Sequence, residues 1–149
     1  PMLQTAADEY ASLYDGLQAD IETEGAPYLV RFDRGSRLLP RLLARGFRDA
    51  WGIFVDSAAA FAELRAHLRR LLVVTRQRDS ERMYFRFYDP RVLRAFLPIA
   101  TRRQVELGFG PVSRFLTEAA DSDAILTFQR GEDGLVASGQ EGEGRAQDQ

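Results

Sequence analysis

The chain predicts an α/β or α+β domain: one mixed β-sheet of about five strands, flanked by helices and folded as a single compact domain. Three observations carry this. Short β-rich runs alternate with stretches of helical period along the middle of the chain. Two β-rich runs are separated only by the polar "RQRDSE", the pattern of a hairpin. With 149 residues, 45% of them hydrophobic, the chain is long enough to bury one ordinary core.

In chain order, residues 1–26 mix acidic side chains with Tyr10, Leu13, Tyr14 and Leu17, and read as an irregular segment with a short helix. Pro1 ahead of Met2 reads as a cut end or a tag remnant. "PYLVRF" at 27–32 is the first strand, bounded by Gly25 and Gly35. "SRLLPRLLARGF" follows as a helix, with Ser36 as N-cap, Leu38, Leu39, Leu42 and Leu43 on one stripe, and Gly46 as the stop. Pro40 falls near the first turn, where its missing N–H costs little. "WGIFVD" at 51–56 is the next strand, with Trp51 and Phe54 assigned to the core. "SAAAFAELRAHLRRL" then places Phe61, Leu64, Leu68 and Leu71 on a core-facing helical stripe.

"LLVVT" and "RMYFRFYD" form the hairpin. A helix starts at Pro90 and another at Thr101, where Thr101 and Gln104 have the spacing of a capping box. A Gly-Pro turn at 110–111 with a further helical turn precedes a last strand, "AILTFQR". The domain core thus runs over 27–130. From Gly131 onward, Gly, Glu and Gln dominate and large apolar groups are nearly absent, so 131–149 reads as a polar flexible tail that cannot offset its ordering entropy.

Composition removes several function classes. There is no cysteine, hence no disulfide, thiol nucleophile or thiolate metal site, and the only histidine is His67. All 20 basic residues are arginine and asparagine is absent, the mark of a GC-rich, most simply bacterial, genome. A formal charge of -2 argues against nucleic acid as a partner. No apolar run is long enough to span or insert into a membrane and no signal sequence is evident, so the expected location is the cytoplasm.

The densest candidate site is "FRFYDPRVLRAFLP", residues 85–98. Strand alternation assigns Met83, Phe85 and Phe87 to the core and Tyr84, Arg86 and Tyr88 to the other face. Asp89 caps the following helix, Pro90 suits its first position, and Arg91 and Arg94 point outward. Asp89, Pro90 and Trp51 are therefore structural expectations. Arg37, Arg41 and Arg45 recur every four residues and make a row along a helix, a solvated face or a site for an acidic partner. His67, four residues after Glu63, reads as half of a solvated ion pair. There is no G-x-S-x-G, no H-E-x-x-H and no phosphate-binding glycine loop, so neither a catalytic residue nor a metal site is expected.

Read together, "APYLVRF", "RGFRDAWGIFV", "ELRAHLRRLLVV", "FRFYDPRVLRAFLP" and "FGPVSRFL" resemble a bacterial family of adaptor chaperones for type VI secretion effectors, from about Tyr10 to Phe128. The resemblance implies a cytoplasmic protein that is not an enzyme and uses no cofactor. Such a protein binds the N-terminal region of a toxic effector and assists its loading onto the spike, with the spike protein as a further partner. It also implies a trimmed or short member, without the family's first strand and helix and without its C-terminal helical lobe. The expected docking surface is Tyr84, Arg86, Tyr88 and Arg91 with Arg37, Arg41 and Arg45. The alternative is a small anion- or phosphate-binding enzyme using Arg86, Tyr88 and Asp89 beside a helix N-terminus.

Overall fold

Ser36 starts the first helix as its spacing predicts: the Leu38 and Leu39 N–H groups donate to its Oγ at 3.2 and 3.4 Å. The computed structural model describes residues 9–14 and 25–140. They form β1 (Tyr10–Ser12), β2 (Tyr28–Val30), α1 (Leu38–Gly46), β3 (Phe54–Ser57), α2 (Phe61–Leu71), β4 (Val73–Thr75) and β5 (Arg82–Tyr84). Then come α3 (Pro90–Phe96), a 3₁₀ turn at Leu97–Ile99, α4 (Arg102–Phe109), β6 (Val112–Glu118), β7 (Ile125–Gly131) and β8 (Gly134–Gln140). This is an α+β fold. Its strands all pair antiparallel, in two two-stranded sheets and one of four, where a single mixed sheet of about five strands was expected.

The chain divides into two units: the described residues up to Gly46 with Ala59–Arg86, and Phe47–Ala58 with the described residues from Phe87 on. In the first, β1 pairs with β2 through the register Tyr10↔Val30, so the expected short helix is, at Tyr10–Ser12, a strand. The remainder of that expectation lies largely outside the described residues. Arg65 on α2 ties β1 down, its Nε and Nη2 donating to the Ser12 carbonyl at 3.0 and 2.6 Å. β4 and β5 form the predicted hairpin, closed in its loop by Arg76, which donates to Asp79 at 3.0 and 2.6 Å and also holds Glu81. Leu13, Leu38, Leu68 and Leu72 are buried, as is His67 at 5% exposure.

That burial corrects the solvated pair expected of His67. It lies three residues after Leu64 and four before Leu71, on the edge of the same apolar stripe, and this phase outweighs its spacing from exposed Glu63.

In the second unit the sheet order is β3-β6-β7-β8, with α3 and α4 against it. The core is Phe87, Leu93, Leu97, Val105, Phe109, Val112, Phe115 and Phe128, with the Phe109 and Phe115 rings 4.9 Å apart, edge to face. The capping box at α4 is present: Thr101 Oγ1 accepts the Gln104 N–H at 3.2 Å, and Gln104 Oε1 accepts the Thr101 N–H at 2.8 Å.

Two strands of this unit are new relative to the sequence reading. β6 replaces the expected helical turn after Pro111; its buried face includes Thr117, a polar residue that blurs the apolar alternation. β8 occupies the first part of the expected tail. Its only large apolar side chains are Leu135 and Val136, and β7 supplies its backbone partners along the whole ladder from Ile125↔Gln140 to Gly131↔Gly134. At Gly131 a Cβ would come within 2.5 Å of Val136 Cγ2 and force that side chain to shift, and Gly134 turns the corner at φ +130°. Residues 141–149 of that expected tail lie outside the described residues.

Candidate functional site

The alternation predicted through "RMYFRFYD" fails because the strand stops at Tyr84. The Phe85 N–H donates to the Leu72 carbonyl at 2.8 Å, and the chain then turns at Phe87 and Tyr88. Met83, expected in the core, is 43% exposed, whereas Phe87 is buried. Tyr84 and Arg86 are exposed, as expected of the opposite face, but Tyr88 is only half-buried and packs edge to face on Phe87 at 5.8 Å. Tyr84 and Arg86 end the first unit, while Tyr88, Asp89, Pro90 and Arg91 begin a segment of the second.

Asp89 is consumed by structure. It is the N-cap of α3: its Oδ1 accepts the Arg91 N–H at 2.9 Å. The Arg91 guanidinium closes a two-pronged pair on the same carboxylate, Nε to Oδ1 at 3.0 Å and Nη2 to Oδ2 at 2.7 Å. That hydrogen bond, with the carboxylate charge behind it, raises the Arg91 pKa above its ordinary value. Pro90 fills the first helical position and is buried, as predicted. Arg91 therefore faces solvent with its charge already matched.

The arginine row behaves otherwise. Arg37, Arg41 and Arg45 are all exposed, as are Pro40 and Ala44 between them. These five positions make one face of α1, at spacings of three, one, three and one. No acidic side chain lies on α1, and none of the three arginines has an ion-pair partner among the described residues. Leu39, Leu42 and Leu43 lie half-buried on the other side of the helix.

Trp51 is not core: it is 58% exposed. The strand that was to bury it begins three residues later, at Phe54, and the preceding loop follows a different path. Arg48 and Ala50 take positive φ angles of 73° and 55°, and the N–H groups of both donate to the Glu118 carboxylate, that of Ala50 at 3.1 Å. Arg48 also pairs with Asp123 at 3.1 Å. No sequence signal could have named Glu118, which lies 70 residues from its first partner.

A second feature missed in sequence is aromatic. The hydroxyls of Tyr14 and Tyr84 are hydrogen-bonded and their rings meet edge to face at 5.9 Å, while Tyr10 and Tyr28 pair across β1 and β2 at 6.3 Å. Tyr28 is 52% exposed. Among the described residues no group of three His, Asp or Glu side chains could hold a metal ion, and no helix is long and apolar enough to cross a membrane.

The site surfaces thus consist of arginine, tyrosine and tryptophan side chains on the exterior, with the one buried carboxylate of the block engaged by its own helix. No curated protein and no solved structure matches the chain. A family model described as a domain of unknown function (DUF4123) matches residues 2–107, a span that includes α1, both two-stranded sheets and the "FRFYDPRVLRAFLP" segment. Over most of its length, then, the chain belongs to the DUF4123 family.

Proposed function

We propose that the protein is an adaptor chaperone that binds a cognate type VI secretion effector in the cytoplasm and assists its loading onto the spike, without catalysing a reaction. The sequence blocks that resemble such adaptors supply the effector and the spike. The single observation that carries a binding role is the exterior: Trp51 at 58% and Tyr28 at 52% exposure, together with Arg37, Arg41 and Arg45, which have no ion-pair partner among the described residues. Tryptophan, tyrosine and arginine are the residues enriched where proteins hold proteins. Four polar residues have roles within the fold: Asp89 caps α3 and pairs with Arg91, and Thr101 and Gln104 cap α4.

The alternative, anion chemistry at Arg86, Tyr88 and Asp89, has no observation in its favour, because both oxygens of Asp89 are already engaged and α3 has only seven residues. Co-expression with the products of the neighbouring reading frames, followed by affinity purification through this chain, tests the adaptor reading. Retention of an effector or spike protein at defined stoichiometry is expected. Recovery of the chain alone, with both neighbours expressed and soluble, refutes the proposal.

A further inference from the structure

We infer that the exposed face of α1, formed by Arg37, Pro40, Arg41, Ala44 and Arg45, docks an acidic helical segment of the partner. This inference rests on the adaptor reading and specifies the chemistry of what is held. Its basis is the regular row of exposed arginines on one helix face and the lack of any acidic residue in the surrounding sequence. Some exposed arginines are matched, Arg31 with Glu9 and Asp33, Arg48 with Asp123, Arg76 with Asp79, Arg102 with Glu106, and Arg114 with Asp56, while Arg34, Arg70, Arg78, Arg82, Arg103 and Arg130 are exposed without an ion pair among the described residues. The arginines of α1 have no such partner among the described residues, and no acidic residue occurs in the sequence between Asp33 and Asp49. Asp33 itself is held by Arg31.

The stability of α1 does not call for this pattern. Like charges four residues apart on a helix repel, and Arg37 stands just before its first residue, where the helix dipole disfavours a cation. Only Arg45, in the last turn, is placed where the dipole favours it. An external anion offsets the repulsion along the row and the unfavourable position of Arg37.

The geometry selects the occupant. Residues four apart on a helix are separated by about 6 Å along its axis, so three arginines present cations at about 6 Å intervals over about 12 Å. Carboxylates at i, i+4 and i+8 of a second helix repeat at the same interval. Pro40 and Ala44, between the arginines, carry short side chains that allow a second helix to approach closely. A nucleic-acid strand fits less well, because the formal charge of -2 repels a polyanion at long range and no aromatic residue on this face offers a base a stacking partner.

The probe is a fluorescently labelled, alanine-based peptide with glutamates at i, i+4 and i+8, compared with an isomer whose three glutamates are contiguous. Anisotropy is read at low salt, where exposed ion pairs are least screened. The spaced peptide is expected to bind the full chain more tightly than its isomer. The R37A/R41A/R45A variant should bind it roughly tenfold more weakly, and added salt should erase the difference. All three side chains are exposed, so the variant should keep its circular dichroism spectrum; R41E alone serves as a second variant.

Equal binding of both peptides, unchanged binding by both variants, or preferential binding of anionic vesicles or duplex DNA overturns the inference. Co-purification separates it from the adaptor reading. If the wild type and the triple variant retain the effector equally, the arginine face is overturned and the adaptor reading stands. If the wild type retains nothing, the adaptor reading falls and the peptide measurement decides the face alone.

Discussion

Glu118→Ala should be one of the most damaging single substitutions at a half-exposed position in this protein. Its carboxylate accepts two backbone N–H groups, from Arg48 and Ala50, and both donors sit at positive φ. Hydrogen bonds to a charged acceptor contribute about 1.5–3 kcal/mol each when well shielded. Here the Arg48 bond is exposed and the Ala50 bond partly buried, which brings the pair nearer 2–3 kcal/mol in total. Against this, a non-glycine residue in the left-handed region costs of order 1–3 kcal/mol, and a loop released from Glu118 regains part of that. The net loss is about 2 kcal/mol, or about 4–8 °C in Tm for a chain of this size. Urea and thermal unfolding measure it. The only tryptophan, Trp51, reports the same loop, and its emission should already be that of a largely hydrated indole in the native wild type. Ala50→Gly is the complementary arm: glycine adopts φ 55° without penalty, so stability should hold or rise by up to about 1 kcal/mol. If Glu118→Ala leaves Tm unchanged, or if Ala50→Gly destabilises as an ordinary alanine-to-glycine change in a loop would, the clasp is not what holds this turn.

Three further outcomes follow from local chemistry. Thr117 is 1% exposed and its Oγ1 has no hydrogen-bond partner among the described residues, so Thr117→Val should raise stability by about 1 kcal/mol in a denaturant titration, and a loss would show that the hydroxyl is satisfied. Asp89→Ala removes the α3 cap and should cost about 1–2 kcal/mol, whereas Asp89→Asn, which still offers a capping oxygen, should recover most of it; equal losses would point away from capping. The Asp79 carboxyl is held below the usual carboxylate pKa, chiefly by the Arg76 hydrogen bonds and then by the Glu81 N–H. A depressed pKa stabilises the hairpin loop above the ordinary carboxylate range, and that contribution fades as pH falls through the folded-state value. Carboxyl NMR titration should show Asp79 moving upward in Arg76→Ala, and no movement would remove the pairing as its cause.

Local and long-range determinants shape different parts of this chain. Several local signals determined their outcome in the sequence alone: Ser36 and Thr101 cap helices, Asp89-Pro90 starts another, the polar linker between "LLVVT" and "RMYFRFYD" makes a hairpin, and the four-residue repeat of arginines forms one exposed face. Each depends on groups within a few residues of one another, whose geometry the backbone already sets.

What only the tertiary structure decided depends on residues far apart. Tyr10–Ser12 is a strand because Tyr28–Val30 lies beside it, and Gly134–Gln140 is a strand because β7 offers it a complete ladder. Trp51 is exposed because Glu118, on another strand, clasps the turn before it. His67 is buried because the stripe it borders packs inward. Backbone hydrogen bonds are indifferent to side-chain identity, and a carboxylate carries no mark of the distant amide it will accept from. Partners of that kind become visible only when the chain is closed on itself.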